Sequence, residues 1–266
     1  MKKLLICLTL LSPLSAVSAQ DDVCKPQNID VWTHARIAQA GNLMSVDGRQ
    51  LRLTGIYAPE MGNPSKRNDP PRPLSRESQT FLNRTLASHK MRIGIQYDKN
   101  RVDAYGRPEA HVFLEDGTNI NALMIENGLA LALTSPPNLG YQACYVAAEQ
   151  RARNANRGLW RLPLNSPELK YPLVLSSDLS DLDTGFRIIH GTVRQVLRTK
   201  NNYVINFDTT GIRVQREHWS HFDFAQLEAL KGQEIEVRGF AFAFQGSMYM
   251  VIDHPSAINK LNPYLK

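Results

Sequence analysis

The chain has 266 residues, of which 42% are hydrophobic and 21% charged. That balance excludes an intrinsically disordered or fibrous protein and leaves room for one large core or two small ones. A formal charge of +6 and a pI near 9.3 suit a polyanionic partner such as nucleic acid without requiring one.

The first residues, MKKLLICLTLLSPLSAVSAQ, combine two lysines, an apolar run broken by Pro13, and the small-x-small triplet Val17-Ser18-Ala19. They read as a secretory signal over residues 1–19, with cleavage predicted after Ala19. The run is too short to span a bilayer, and no later segment approaches that length. The mature chain is therefore expected to be secreted or periplasmic, without a membrane anchor. Cys7 leaves with the signal, and Cys24 and Cys144 remain. An even pair in an oxidising compartment predicts a disulfide, the alternative being two separate buried thiols.

VWTHARIAQA and NLMSVDGRQLRLTGI read as extended segments, the second folded at Asp47-Gly48, a pair that tolerates the positive φ of a hairpin turn. Residues 61–73, polar and proline-rich, form a loop. A helix is predicted through SRESQTFLNRTLASH, capped by Ser75, with Phe81, Leu82 and Leu86 on one face. MRIGIQYD and PEAHVFLEDGTNI are strands, NALMIENG is a short helix ended by Gly128, and YQACYVAAEQRARNANRG is a longer helix with Glu149 and Arg153 at i,i+4 spacing. Residues 162–185 read as a linker, because RLPLNSPELKYP has three prolines and no periodicity. Strands return with FRIIHGTVRQVL, NYVINFD, IRVQR, QEIEVRGFAFAF and MYMVID, and the short helix FDFAQLEAL falls between the third and fourth. The expected fold is a β-rich α+β chain. A small antiparallel barrel decorated with helices spans residues 20–161, and a second small barrel of the oligonucleotide-binding (OB) type spans residues 186–266.

Hydrolysis of a phosphodiester needs a base for the water and multi-donor cations for the phosphate oxygens. Arginine serves better than lysine, because its planar fork gives two hydrogen bonds to one phosphate. Arg52 and Glu60 lie along one strand and its exit, and Arg107 sits in a turn tightened by Gly106. Lys66, Arg67 and Arg72 in the proline-rich loop are candidates for attracting a phosphate backbone, although solvated loop charges are the plainer reading. Tyr203, Phe207, Arg213, Phe242, Phe244 and Tyr249 lie on predicted strands and would stack bases if they face solvent, or form core if they do not. The seven histidines are scattered, and neither an HExxH motif nor a P-loop is present.

LRLTGIYAPE, then DKNRVDAYGRPEAHVFLEDGTNINALMIENGLA, then EQRARNANRGLW resemble the staphylococcal nuclease (thermonuclease) family from about residue 30 to 161. The resemblance implies a five-stranded OB-fold barrel with helices and calcium-dependent cleavage of DNA and RNA. It also implies that Arg52 and Arg107 clamp the phosphate, that Glu60 is the general base and that Tyr105 hydrogen-bonds phosphate. The family's calcium-binding carboxylates are replaced. Asn42, in Ala40-Gly41-Asn42-Leu43, stands at one aspartate position, and Tyr57-Ala58 stand in place of an Asp-Thr pair. The expected function is an exported phosphodiesterase acting on nucleic acid. The alternative is a nuclease-fold module that binds nucleic acid or a protein without hydrolysing anything.

Overall fold

The computed structural model describes residues 22–260 apart from 64, 66–68, 135, 167–168 and 209. The segment expected to be a signal, Lys66 and Arg67 lie outside the described residues. In chain order the elements are β1 (Val31–Ala40), β2 (Leu43–Val46), β3 (Arg49–Leu53), β4 (Ile56–Tyr57), α1 (Ser75–Ser88), β5 (Arg92–Gln96), β6 (Glu109–Phe113), α2 (Ile120–Glu126), β7 (Leu131–Ala132), α3 (Gln142–Asn154) and α4 (Leu162–Asn165). There follow β8 (Leu173–Leu175), β9 (Gly185–Thr192), β10 (Gln195–Arg198), β11 (Asn202–Asn206), β12 (Thr210–Gln215), α5 (Phe224–Glu228), β13 (Glu234–Phe244), β14 (Ser247–Val251) and β15 (Ile258–Lys260).

Strands β1-β2-β3-β6-β5 close into a barrel, with β3 and β6 paired in parallel and Arg52 opposite Glu109. The β2–β3 turn has the expected chemistry, because Asp47 and Gly48 have φ of 48° and 76°. β1 pairs with β5 through its first half and with β2 through its second, and its register slips at Ala35/Ala38 and Ala38/Ala40. Such bulges coil the strand around the barrel but leave backbone groups unpaired. Asn83 of α1 repairs this, accepting from the Ala38 N–H at 2.8 Å and donating to its carbonyl at 3.1 Å. Helix α1 buries Ser75, Ser78, Leu82 and Leu86 at helical spacing, and burying each leucine contributes about 1.5–3 kcal/mol. Ser75 does not cap it. The cap position is Leu74, at φ 62°, with no side-chain cap bond, and Ser75 is the first helical residue. The expected Cys24–Cys144 disulfide is formed, tying the N-terminal segment to α3.

The second unit repeats the pairing order of the first. β9 and β10 are two halves of one bent strand, β9 against β13 and β10 against β11, while β12 pairs in parallel with β14. The bend bonds both ways: Val193 N–H donates to Gln233 and Arg194 N–H to Asn206. Within residues 162–185, β8 adds in parallel to β9, and Tyr171 is buried.

The two units share a core. Tyr57, Leu131, Leu159 and Trp160 from the first pack with Tyr171, Phe186 and Ile188. Beside this cluster lies a buried charge lattice. Arg238 of β13 forms a two-pronged bond to Glu149 of α3 (2.7 Å each) and donates to the Ala132 carbonyl at 3.0 Å. Arg153 bonds Glu236 at 2.8 Å, Glu149 at 3.2 Å, and lies 4.0 Å from the Trp160 ring centroid. No helix among the described residues is long and apolar enough to cross a membrane.

Candidate active site

Arg52, Glu60, Tyr105 and Arg107 line one cleft of about 530 Å³, together with Asn42, Tyr57, Ala58, Asp69 and Phe240. β3 carries Arg52, held by its N–H to the Pro108 carbonyl at 2.8 Å. The 103–107 turn brings the second arginine to the same wall. Asp103 accepts the N–H groups of Tyr105 and Arg107 at 2.9 and 3.0 Å, and Gly106, at φ 74°, closes the turn onto the Asp103 carbonyl.

The Asp103 carboxylate joins the two arginines. It accepts Arg107 Nε and Nη2 at 2.7 Å each, and Arg52 Nη1 lies 3.8 Å from the same oxygen. Only 3% of the Asp103 side chain is exposed, whereas Arg52 and Arg107 keep 26% and 29% of theirs. The acid therefore sits behind the guanidiniums, which present their remaining donors to the cleft. Burial raises the Asp103 pKa, but the hydrogen bonds from Arg107 and the Tyr105 N–H outweigh it and hold the carboxyl below its usual range. Tyr105 is 82% exposed on the rim, with the Arg107 guanidinium 5.0 Å from its ring centroid.

Glu60 leaves the barrel behind buried Pro59, with a side chain 50% exposed. Its carbonyl accepts the Arg72 N–H at 2.8 Å, Arg72 Nε lies 4.0 Å from its carboxylate, and Arg72 reaches the Thr184 carbonyl at 3.2 Å. The base of the proline-rich loop is thus fastened to both units.

The donor set does not fit calcium, which takes six to eight oxygens, charged ones by preference. Tyr57 is 4% exposed, stacked on Phe186 at 4.2 Å between centroids and set edge-on to Phe240 at 6.0 Å. Burial, with Tyr171 and Glu60 nearby, pushes its phenol pKa far up, so it supplies no anionic oxygen. Ala58 is buried and apolar, and Asn42 offers one neutral side-chain oxygen. Asp103 is committed to the arginines, which leaves Glu60 and Asp69 as cleft carboxylates. Among the described residues no three His, Cys, Asp or Glu side chains gather as a metal site.

A model of the family described as staphylococcal nuclease homologue matches residues 50–162. A thermonuclease of Staphylococcus hyicus is 33% identical over 120 residues, 44% of this chain and 68% of that protein. A thermonuclease of Staphylococcus intermedius is 30% identical over the same length and shares. The chain belongs to the staphylococcal nuclease family. An uncharacterised protein of Bacillus anthracis is also similar, 32% identical over 95 residues, 35% of this chain and 43% of that one.

Within this family member, Arg52, Glu60, Tyr105 and Arg107 share one cleft. Asn42 reaches the cleft without the partners a metal would need. Two contributors escaped the sequence reading. Asp103 was visible in the DAYGR motif, four residues before Arg107, but an i,i+4 pair in a turn carries no periodic signal. Phe240 comes from the second unit, and no local signal connects it to Arg52.

Proposed function

We propose that this family member is a nuclease of the thermonuclease type, hydrolysing phosphodiesters of nucleic acid in the Arg52–Glu60–Arg107 cleft. The observation that carries this reading is the pair of arginines converging on one buried acid across the same cleft as Glu60. Two forks held side by side suit the non-bridging oxygens of one phosphate, and they gain strength as phosphorus becomes five-coordinate and more negative. In this reading the Glu60 carboxylate takes the proton from the attacking water, and Tyr105 donates to a phosphate oxygen at the rim. No step is assigned to calcium, since Asn42, Tyr57 and Ala58 fail as ligands. The signal segment and the disulfide support an exported protein.

The lost carboxylates also favour a second reading, a module that holds nucleic acid in this cleft without hydrolysis. Incubation with end-labelled single- and double-stranded DNA, in calcium and in chelator, separates the two. The nuclease reading predicts shortened products, and Glu60→Gln should slow them by about 10²–10⁴. Cleavage that persists in chelator would assign the charge neutralisation to the arginines. Retention of intact strands with salt-dependent binding would favour the module.

A further inference from the structure

The outer face of the second unit carries a row of exposed aromatic side chains, of which the first, Phe240, also packs against Phe186 and Tyr57. Phe240, Phe242 and Phe244 alternate along β13 and are 49%, 43% and 56% exposed. Tyr249 of β14 is the direct cross-strand partner of Phe242, with ring centroids 6.0 Å apart and planes within 27°. Phe244 meets the same tyrosine edge-on at 6.2 Å. The Arg213 guanidinium lies 4.9 Å from the Tyr249 ring centroid. It occupies the space that Gly211, opposite Tyr249, leaves by lacking a Cβ. By contrast Tyr203 and Phe207 are 6% and 4% exposed and belong to the core. The strand aromatics therefore divide by face, one set packing the unit and the other facing water.

Exposed aromatics in a contiguous row mark an interaction site, and three features identify its occupant. The row begins at the candidate active site, since Phe240 lines both the Arg52–Arg107 cleft and a neighbouring cavity that includes Arg52 and His218. It ends at an open cavity lined by Gln195, Asn206, Arg213 and the Arg194–Asp208 ion pair, of which Arg213 suits phosphate and the amides suit base edges. Alternate strand residues stand roughly 6.6–6.8 Å apart, about twice the 3.4 Å per nucleotide of a stacked strand. A strand drawn out along β13 would meet one ring per base.

We propose that Phe242, Phe244 and Tyr249, with Arg213, form a stacking platform for unpaired bases of single-stranded nucleic acid whose backbone continues past Phe240 into the cleft. This rests on the nuclease-family reading of the cleft for its direction, but not on hydrolysis. Duplex DNA, with its bases already stacked inside, gains nothing from the platform.

The test is fluorescence anisotropy with labelled oligothymidylates of about four and about twelve nucleotides, both within the roughly 4–16 nucleotide site sizes of OB-type units. A Glu60→Gln background slows strand loss during the titration. The double variant Phe242→Ala/Phe244→Ala should weaken binding of the longer strand by roughly 25-fold or more, at least about five-fold per ring. The shorter strand and the duplex should change little. The salt dependence of the longer strand should keep its slope, because stacking releases no counterions. Phe242→Tyr/Phe244→Tyr keeps both rings and should retain the affinity, separating stacking from misfolding. Unchanged affinity in the alanine variant overturns the platform. So does equal loss for duplex and single strand, failure of every form to bind the longer strand, or a dimer that the alanine pair dissolves without altering strand affinity. Absence of wild-type cleavage with the platform effect intact would remove the hydrolytic reading alone.

Discussion

Asp103 touches no substrate in this account, yet it sets where two arginines point. Asp103→Asn keeps the size of the side chain and removes the charge that holds both guanidiniums. It should cost about 1–3 kcal/mol of stability through its lost charge-assisted bonds. It should also lower kcat/KM for DNA, through misdirected arginines, by at least about ten-fold. The pH dependence has a definite sign. The folded-state pKa is depressed, so this acid's contribution is complete above its ordinary value of 3.8 and is lost as pH falls through the folded-state value. The stability gap between wild type and Asp103→Asn, followed by urea melts, should therefore narrow as pH drops below about 4; a gap constant with pH would show that the charge is irrelevant. Arg52, Glu60 and Arg107 were singled out by the family resemblance, since charged residues on a strand, its exit and a tight turn are by themselves more often plain surface residues. Asp103 was not, because its role depends on which atoms its side chain meets.

At the scale of elements, periodicity located most strands and helices, and what it missed has specific causes. The α1 start was misread at Ser75 because a left-handed Leu74 ends the loop instead, a conformation that tertiary packing imposes against leucine's own preference. The i,i+4 spacing of Glu149 and Arg153 was visible, but its meaning was not. On a free helix such a pair contributes a few tenths of a kcal/mol. Here Glu149 is buried and receives Arg238 from β13. Burial raises its pKa, but Arg238, Arg153 and the Ala132 N–H outweigh this and keep it ionised. Glu149→Gln leaves Arg238 buried without its counter-charge, and should cost about 3–5 kcal/mol in chemical denaturation. A loss below about 1 kcal/mol would mean that the lattice is solvated and the two units are not locked by it. Asn83→Ala, which removes the acceptor of the Ala38 N–H and leaves its carbonyl only Gln79 as donor, should cost about 1–3 kcal/mol by the same measurement.

Across the whole molecule, a closed barrel and a second sheet of like strand order share one core, and that core reaches the cleft through Tyr57. Tyr57, which the family resemblance sets in place of an aspartate, packs its ring against Phe186 and Phe240 of the second unit, and those two rings also meet each other at 5.6 Å. An aspartate there would face aromatic carbon. The order of elements was readable from strand periods and from the prolines of residues 161–172. The shared core was not, because Tyr57, Trp160, Tyr171 and Phe186 carry no joint pattern along the chain. Heat or denaturant should unfold both units in one transition, whereas two separated transitions would contradict a common core. Reduction of Cys24–Cys144, separated by 120 residues, frees a long loop in the unfolded chain. It should lower stability by about 2–5 kcal/mol.

The central claim is that two arginines hold the phosphate while Glu60 performs the proton transfer. Single-turnover cleavage of a labelled DNA strand, measured beside its dissociation constant in the wild type and in Glu60→Gln, tests it most directly. The account predicts a cleavage rate lower by about 10²–10⁴ with affinity changed by no more than a few-fold. Wild-type cleavage left intact in the variant, or affinity and cleavage lost together, would contradict it.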